Sequence, residues 1–366
     1  MCGFYDTESI LERSGDGMQP DHGRVSSRAG SAGTSRRRAL RRLLGGALGL
    51  LGTQYFHADA ARDRQEKCAK IKNKKRRKQC GKKTSDQDTR PPPSPGSNVR
   101  LPVRAAFYYP WFPHAWKQGT VSPYTNYQPS LGYYDGGDAA IIGQQIAAMQ
   151  YGGISVGIAS WWGVGHHTDA RIPALLAASA GTGFRWALYY EAEGTANPSV
   201  AQIRADLTAI RDRYGSDPSY ARIDGKFVVF VYNANDGDCA VAERWQQANT
   251  VGAYVVLKVF AGYPACAKQP QSWHQYAPVV AADHQRGFSY AISPGFWQKG
   301  QGVRLARDLA RWEQNVRDMV ASGAPWQLVT TFNEWGEGTS VESAVEWASP
   351  AGYGAYLDAL HRNGQP

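Results

Sequence analysis

Residues 326–337 read Trp326-Gln327-Leu328-Val329-Thr330-Thr331-Phe332-Asn333-Glu334-Trp335-Gly336-Glu337, with Gly338 and Thr339 following. An apolar, β-rich run ends here in two carboxylates three residues apart. On a helix, that spacing is usually a solvated face, and acids are also favoured in a first helical turn. A pair that closes a buried strand calls for another reading. Cleaving a glycosidic bond takes one carboxyl to protonate the leaving oxygen and another to act as base or nucleophile. Trp335 between them is expected to offer a flat apolar face to a sugar ring.

Upstream, similar β-rich runs occupy 103–109, 154–160, 184–190, 226–232, 253–260 and 288–293, with a weaker one at 278–282. Helical patterns alternate with them. Residues 138–150 place Ile142, Ile146 and Met149 at helical spacing, 172–180 are Ala/Leu-rich, and 199–214 open on Ser199 as a cap. Two more helical stretches span 303–321 and 353–362. Strand and helix in alternation over residues 101–366 predict an α/β domain, a (β/α)8 barrel, for which about 250 residues is typical. The competing open, doubly wound sheet lacks a Gly-x-Gly-x-x-Gly after the first run.

In such a barrel the chemistry gathers at the C-terminal ends of the strands. Those ends read Tyr108-Tyr109-Pro110-Trp111, Ser160-Trp161-Trp162, Tyr190-Glu191, Tyr232-Asn233 and Asn333-Glu334-Trp335. Aromatic faces with a few acids and amides suit carbohydrate: C–H faces stack on rings and hydroxyls bond to the polar groups. Tyr108, Tyr109, Trp111, Trp161, Trp162, Glu191, Asn233, Asn333 and Trp335 are therefore candidate substrate contacts, around Glu334 and Glu337 as candidate catalytic residues.

Phe107-Tyr108-Tyr109-Pro110-Trp111-Phe112, Ser160-Trp161-Trp162-Gly163, Ile292-Ser293-Pro294-Gly295-Phe296 and Phe332–Thr339 together resemble glycoside hydrolase family 99, the endo-α-mannosidase and endo-α-mannanase group. The resemblance covers residues 101–350 in motif order. It implies a (β/α)8 barrel that cleaves α-mannosidic linkages within a glycan, with retention and without a metal or other cofactor. It implies that Glu334 draws the proton from the sugar's own 2-hydroxyl, which attacks the anomeric carbon, and that Glu337 is general acid and then base. On that reading Glu337 has a raised pKa and Glu334 stays ionised. Glu191 resembles a residue that holds the sugar, Trp161 or Trp162 an aromatic of the neighbouring subsite, and Tyr276 matches by position a tyrosine near the reacting sugar. The family's tyrosine after Pro-Gly is Phe296 here. Two other classes stay open: a non-catalytic glycan- or cell-wall-binding barrel, and a polysaccharide-assembly glycosyltransferase.

The first hundred residues are of another kind. They hold 22 of the chain's 41 Lys and Arg but 10 of its 31 Asp and Glu, and none of its 12 Trp. The remainder carries 19 basic and 21 acidic residues, which argues against nucleic acid as a partner. Residues 1–60 read as an export signal: Ser35-Arg36-Arg37-Arg38-Ala39-Leu40 resembles the twin-arginine motif, an apolar stretch at 43–52 follows, and Ala58-Asp59-Ala60 offers a cleavage site. An uncleaved anchor or a basic cytosolic tail are the alternatives. Residues 61–100 form a linker, a basic block framed by Cys68 and Cys80 and then a Pro-rich spacer, suited to charge contact with a cell wall or membrane surface. The expected location is secreted or cell-envelope, and the expected state a monomer. Once Cys2 leaves with the signal, Cys68, Cys80, Cys239 and Cys266 allow three pairings. Cys239 and Cys266 follow neighbouring strands on one rim, which favours their pairing over free thiols. His166-His167-x-Asp169 and Asp236-Gly237-Asp238 offer metal-type side chains, but adjacent histidines rarely converge on one ion and the acidic pair lacks further ligands; no metal is expected.

Overall fold

The computed structural model describes residues 99–232, 237–298 and 302–364. The export signal, nearly all of the linker with Cys68 and Cys80, and Asn233 lie outside the described residues.

Eight parallel strands form the barrel wall. In spatial order they are β7 (Ser272–His274), β6 (Tyr254–Lys258), β5 (Lys226–Val231), β3 (Arg185–Tyr190), β2 (Val156–Trp161), β1 (Val103–Tyr108), β12 (Trp326–Val329) and β9 (Ser289–Ile292). The first and last strands of the chain pair directly, Val103 with Trp326 through Ala106 with Val329, which brings β12 back beside β1. Two antiparallel pieces are added: β4 (Arg222–Ile223) on β5, and β8 (Ala282–Gln285) on β9. The expected (β/α)8 barrel is therefore present, nearly closed, with no ladder pairing between β7 and β9 among the described residues.

Alternation along each strand sorts the side chains into two layers. Val103, Ala105, Phe107 and Tyr109 pack inward with Val156, Ile158, Phe230, Trp326 and Leu328. The Phe230 and Trp326 rings, from non-adjacent strands, meet at 4.8 Å between centroids, so the barrel interior is filled by side chains. Tyr108, Trp161, Trp186 and Tyr190 belong to the layer between wall and helices. Burial on both faces is why these strands read as continuous apolar runs.

The longer helices among the described residues are α1 (Ala139–Tyr151), α2 (His167–Ala178), α3 (Val200–Ile210), α4 (Cys239–Ala248), α5 (Leu309–Ala321) and α6 (Ala355–Arg362). Caps set their starts. Asp138, Ser199, Asp238 and Asp308 each accept from a backbone N–H of the first turn, satisfying donors that a helix leaves unpaired. Two sequence expectations are corrected here. The eighth barrel strand is the three-residue β7, not 278–282, whose end instead begins the antiparallel β8. Residues 302–305 are not helical: β10 (Phe296–Gln298) and β11 (Gly302–Leu305) form a hairpin, and the helix starts only after Asp308. Arg307 between them is drawn away to the carbonyls of Gly338 and Ser340 at 2.8 and 2.6 Å.

Cys239 at the start of α4 and Cys266 in the loop after β6 form a disulfide with Cα atoms 5.3 Å apart. The loops after two adjacent strands are thereby joined on the rim that carries the acids.

Candidate active site

After β12 the chain makes a turn, not a helix, so the solvated-helix-face reading of the Glu pair does not apply. Thr331 N–H donates to Thr339 O at 3.1 Å, Thr339 N–H to Glu334 O at 3.2 Å, and Glu334 N–H to Thr331 Oγ1 at 2.8 Å. Asn333 fastens this turn to the end of β1, accepting from Tyr109 N–H at 2.7 Å and donating to Tyr109 O at 3.1 Å. The Gly336 N–H donates to Glu334 Oε1 at 3.1 Å. A Cβ on Gly336 would stand 3.0 Å from both that oxygen and the Tyr124 ring, so a larger residue would crowd the Glu334 carboxyl. Gly338, at φ +62°, turns the chain back.

Glu334 is buried, and its Oε2 has no protein partner among the described residues. Glu337 is half-buried; its Oε2 accepts from the Tyr276 hydroxyl at 3.4 Å, and its backbone oxygen accepts from Trp297 N–H in β10 at 2.8 Å. Tyr109 in turn donates to Tyr276 at 2.9 Å. Across the mouth, Glu191 follows β3. Its carboxyl bonds to the Ser160 hydroxyl, which accepts from Trp111 Nε1 at 3.0 Å. Glu191 Oε1 is buried and unpartnered among the described residues. Lys258 ends β6 with its ammonium 4.7 Å from the centre of the Tyr232 ring.

Burial dominates the electrostatics. It pushes Glu337 up to about 7, partly opposed by the Tyr276 hydrogen bond. Glu334 is pushed well above the ordinary carboxyl range by burial and then by the charge of Glu337. Burial raises Glu191 to about 8 against the Ser160 bond, while Lys258 is lowered to about 8 by burial, with Glu191 opposing. The titration of Glu334 therefore depends on the charge of Glu337, and the two are treated as a pair. Glu334 is the more enclosed of the two and faces the charges of both Glu337 and Glu191, each of which raises it.

Among the residues expected at the site, Glu334, Glu337, Glu191, Tyr109, Tyr276 and Trp111 gather at the mouth. Trp162 is half-buried on the loop after β2. Four others are turned away. Tyr108 points outward by strand alternation and donates to Gln145 Oε1 at 2.6 Å. Trp161 is buried in the same outer layer, with Nε1 on Asp169 at 2.9 Å. Asn333 is consumed by the Tyr109 backbone. Trp335 is fully buried against Trp116 and Trp347 and has no face for a sugar. Lys258 and Ser160 were not expected. A lysine closing the apolar run Tyr254-Val255-Val256-Leu257 was the available signal, since a charge at a buried strand end needs a partner. In the His166–Asp169 loop, His166 caps α2 and Asp169 accepts from Trp161, Tyr214 and Arg213, so these side chains serve local structure.

Comparison with known proteins points to one family. The model of glycosyl hydrolase family 99 matches residues 111–262, a span holding Glu191 and Lys258 and ending ahead of Glu334. Over that span the chain is similar to family 99. It is 22% identical over 277 residues to the glycoprotein endo-alpha-1,2-mannosidase of Xenopus laevis, a match covering 60% of this chain and 59% of that protein. The fold is similar to the family 99 endo-alpha-mannosidase of Bacteroides thetaiotaomicron, at 21% identity and TM-score 0.56 over 71% of this chain and 95% of the other. A glycoside hydrolase-like protein is similar at TM-score 0.54 and 16% identity, over 77% of this chain and 99% of the other.

Proposed function

We propose that this family 99-like protein is a retaining endo-glycosidase that opens α-linked, expectedly α-mannosidic, bonds inside a polysaccharide or glycan. The observation that carries the proposal is the placing of Glu334 and Glu337 on one turn at the C-terminal end of the last barrel strand, both raised by burial, with Tyr276 on Glu337. Binding alone gains nothing from two proton-holding carboxyls at one spot. Glu334 draws the proton from the sugar's 2-hydroxyl as that oxygen attacks the anomeric carbon. Glu337 delivers its proton to the leaving oxygen and then, as a base, activates the water that opens the anhydro sugar. The productive form of the pair has its proton on Glu337 and its charge on Glu334. Glu191, kept near Lys258, accepts from a sugar hydroxyl, and Trp111 and Trp162 offer aromatic surface.

The test is release of reducing ends from α-mannans, bacterial polysaccharides and N-glycans by the wild type and by Glu334→Gln and Glu337→Gln. Internal cleavage by the wild type, lost on the natural glycan in both variants, is expected. Tight glycan binding without turnover would favour the non-catalytic barrel, and sugar transfer to an acceptor the glycosyltransferase.

A further inference from the structure

Another buried carboxyl, Glu342, lies behind the acid-bearing turn. Glu342 is 2% exposed and packs in the layer between barrel and helices. Its Oε2 accepts from the Tyr134 hydroxyl at 2.6 Å and from Trp335 Nε1 at 3.1 Å, and its Oε1 accepts from Gln145 Nε2 of α1 at 2.8 Å. Its backbone is held as well: N–H to Phe332 O at 2.9 Å, and O accepting from Trp347 Nε1 at 3.0 Å. Tyr108 of β1 donates to the same Gln145 at 2.6 Å, and Asn333 reaches the Tyr134 hydroxyl at 3.5 Å.

Burying a carboxylate is costly even when it is hydrogen-bonded, and an apolar residue often fills such a space at no loss of stability. Here a phenol, an indole and an amide from three separate segments all point their hydrogens at one side chain. What they share is the neighbourhood of residues 333–335. Trp335 lies next to Glu334 and two residues before Glu337, so the short turn that carries both acids runs through it. Its indole stacks on Trp347 with ring centres 6.0 Å apart and planes 14° from parallel. Stacking leaves the ring free to slide or rotate in its plane; the Nε1–H bonds to Glu342 and, at 3.2 Å, to Tyr134 remove that freedom.

We propose that Glu342 is a positioning residue: acting through the Trp335 indole, it fixes the turn 334–337 in the orientation that presents both glutamates at the barrel mouth. This rests on reading Glu334 and Glu337 as the reacting pair. Glu342 touches no substrate, so its loss affects the geometry of the chemical step and not the binding of the glycan.

The experiment compares Glu342→Gln, Trp335→Phe and the double variant. Gln keeps the shape and removes the charge; Phe keeps the stack and removes the Nε1–H. Each single variant is expected to lower kcat about tenfold or more with KM within about twofold, and the double variant to fall little below the worse single, because both break one linkage. Carboxyl carbon NMR of the folded proteins supplies a readout without turnover: the Glu334–Glu337 titration moves by about half a pH unit or more in each single variant. Wild-type kcat in Glu342→Gln, multiplying losses in the double variant, or an unmoved titration would overturn the proposal. Should Glu342→Gln not fold, Trp335→Phe carries both readouts. Should the wild type cleave no glycan, the functional reading fails while the titration still decides the positioning role.

Discussion

The Tyr276 hydroxyl stands 3.4 Å from Glu337 Oε2 and donates to it, while itself accepting from Tyr109 at 2.9 Å. A donor aimed at a carboxyl favours its charged form, and the Tyr276 bond is the influence that lowers the otherwise raised Glu337. Removing it raises Glu337 further. An acid that must be protonated loses activity as pH climbs through its pKa, so the alkaline limb of the rate profile moves upward in Tyr276→Phe. A bond this long is worth about half to one pH unit. The measurement is kcat/KM against pH from 5 to 9. A limb that stays in place would mean that Glu337 is not the acid.

Glu334 and Glu337 respond differently to the leaving group. Glu337→Gln removes the proton donor, so unactivated glycans slow by roughly a hundredfold or more while substrates with good leaving groups are largely spared. Glu334→Gln removes the base for the 2-hydroxyl and slows both. A second signature follows from the coupling. The charge of Glu337 is the next cause after burial that raises Glu334. In Glu337→Gln that charge is gone, and Glu334 titrates in a single step at lower pH than it does beside an ionised Glu337, a shift read by carboxyl carbon NMR. Removal of the second, high-pH step of the pair is the expected result; a Glu334 that still titrates in two steps would contradict the assignment.

Lys258 and Glu191 oppose each other's burial: the ammonium lowers the carboxyl, and the carboxyl raises the ammonium. In Lys258→Met the carboxyl keeps its desolvation and loses its cation, so Glu191 rises beyond its value of about 8 and stays protonated at alkaline pH where the wild-type carboxyl ionises. A neutral acid is a weaker acceptor for a sugar hydroxyl than a carboxylate. KM for the glycan is expected to rise about tenfold at pH 9, where the wild-type carboxyl is ionised and the variant's is not, with a smaller change in kcat and little difference in KM at pH 7. Kinetics of Lys258→Arg, which restores the charge, provide the control. A KM unchanged by Lys258→Met at pH 9 would place Glu191 away from the sugar.

The barrel was legible because its strands, buried on both faces, stand out as apolar runs with aromatics and acids at one end. Seven of them coincide with observed barrel strands. The eighth, Ser272–His274, is three residues long and offers no such run. At the site, residue type was easier to read than direction. Tyr108 and Tyr109 are chemically identical, yet alternation sends one to Gln145 and the other into the mouth. Trp335 sits between two acids in the chain but outside the mouth in space, because the turn 334–337 points successive side chains to opposite sides of the wall. Lys258 was passed over because a single charge at the end of a strand gains meaning only when Glu191, two strands away, is known to face it.

The Cys239–Cys266 bridge bears on where the protein works. A disulfide joining two loops on the rim forms and persists in an oxidising compartment, and we propose on this ground, together with Arg36-Arg37-Arg38 and Ala58-Asp59-Ala60, that the chain is exported and cleaved near Ala61. The bridge closes a loop with a sequence separation of 27, for which chain-entropy arguments give a contribution of about 3–4 kcal/mol. Protein recovered outside the producing cells should begin near Ala61 by N-terminal sequencing, and non-reducing peptide mass spectrometry should link Cys239 to Cys266. Reduction, or Cys239→Ala with Cys266→Ala, should lower Tm by several degrees. Protein retained in the cytosol with Met1 intact and both thiols free would overturn the export proposal. A bridged protein whose Tm is indifferent to reduction would show instead that the two loops are held together without it.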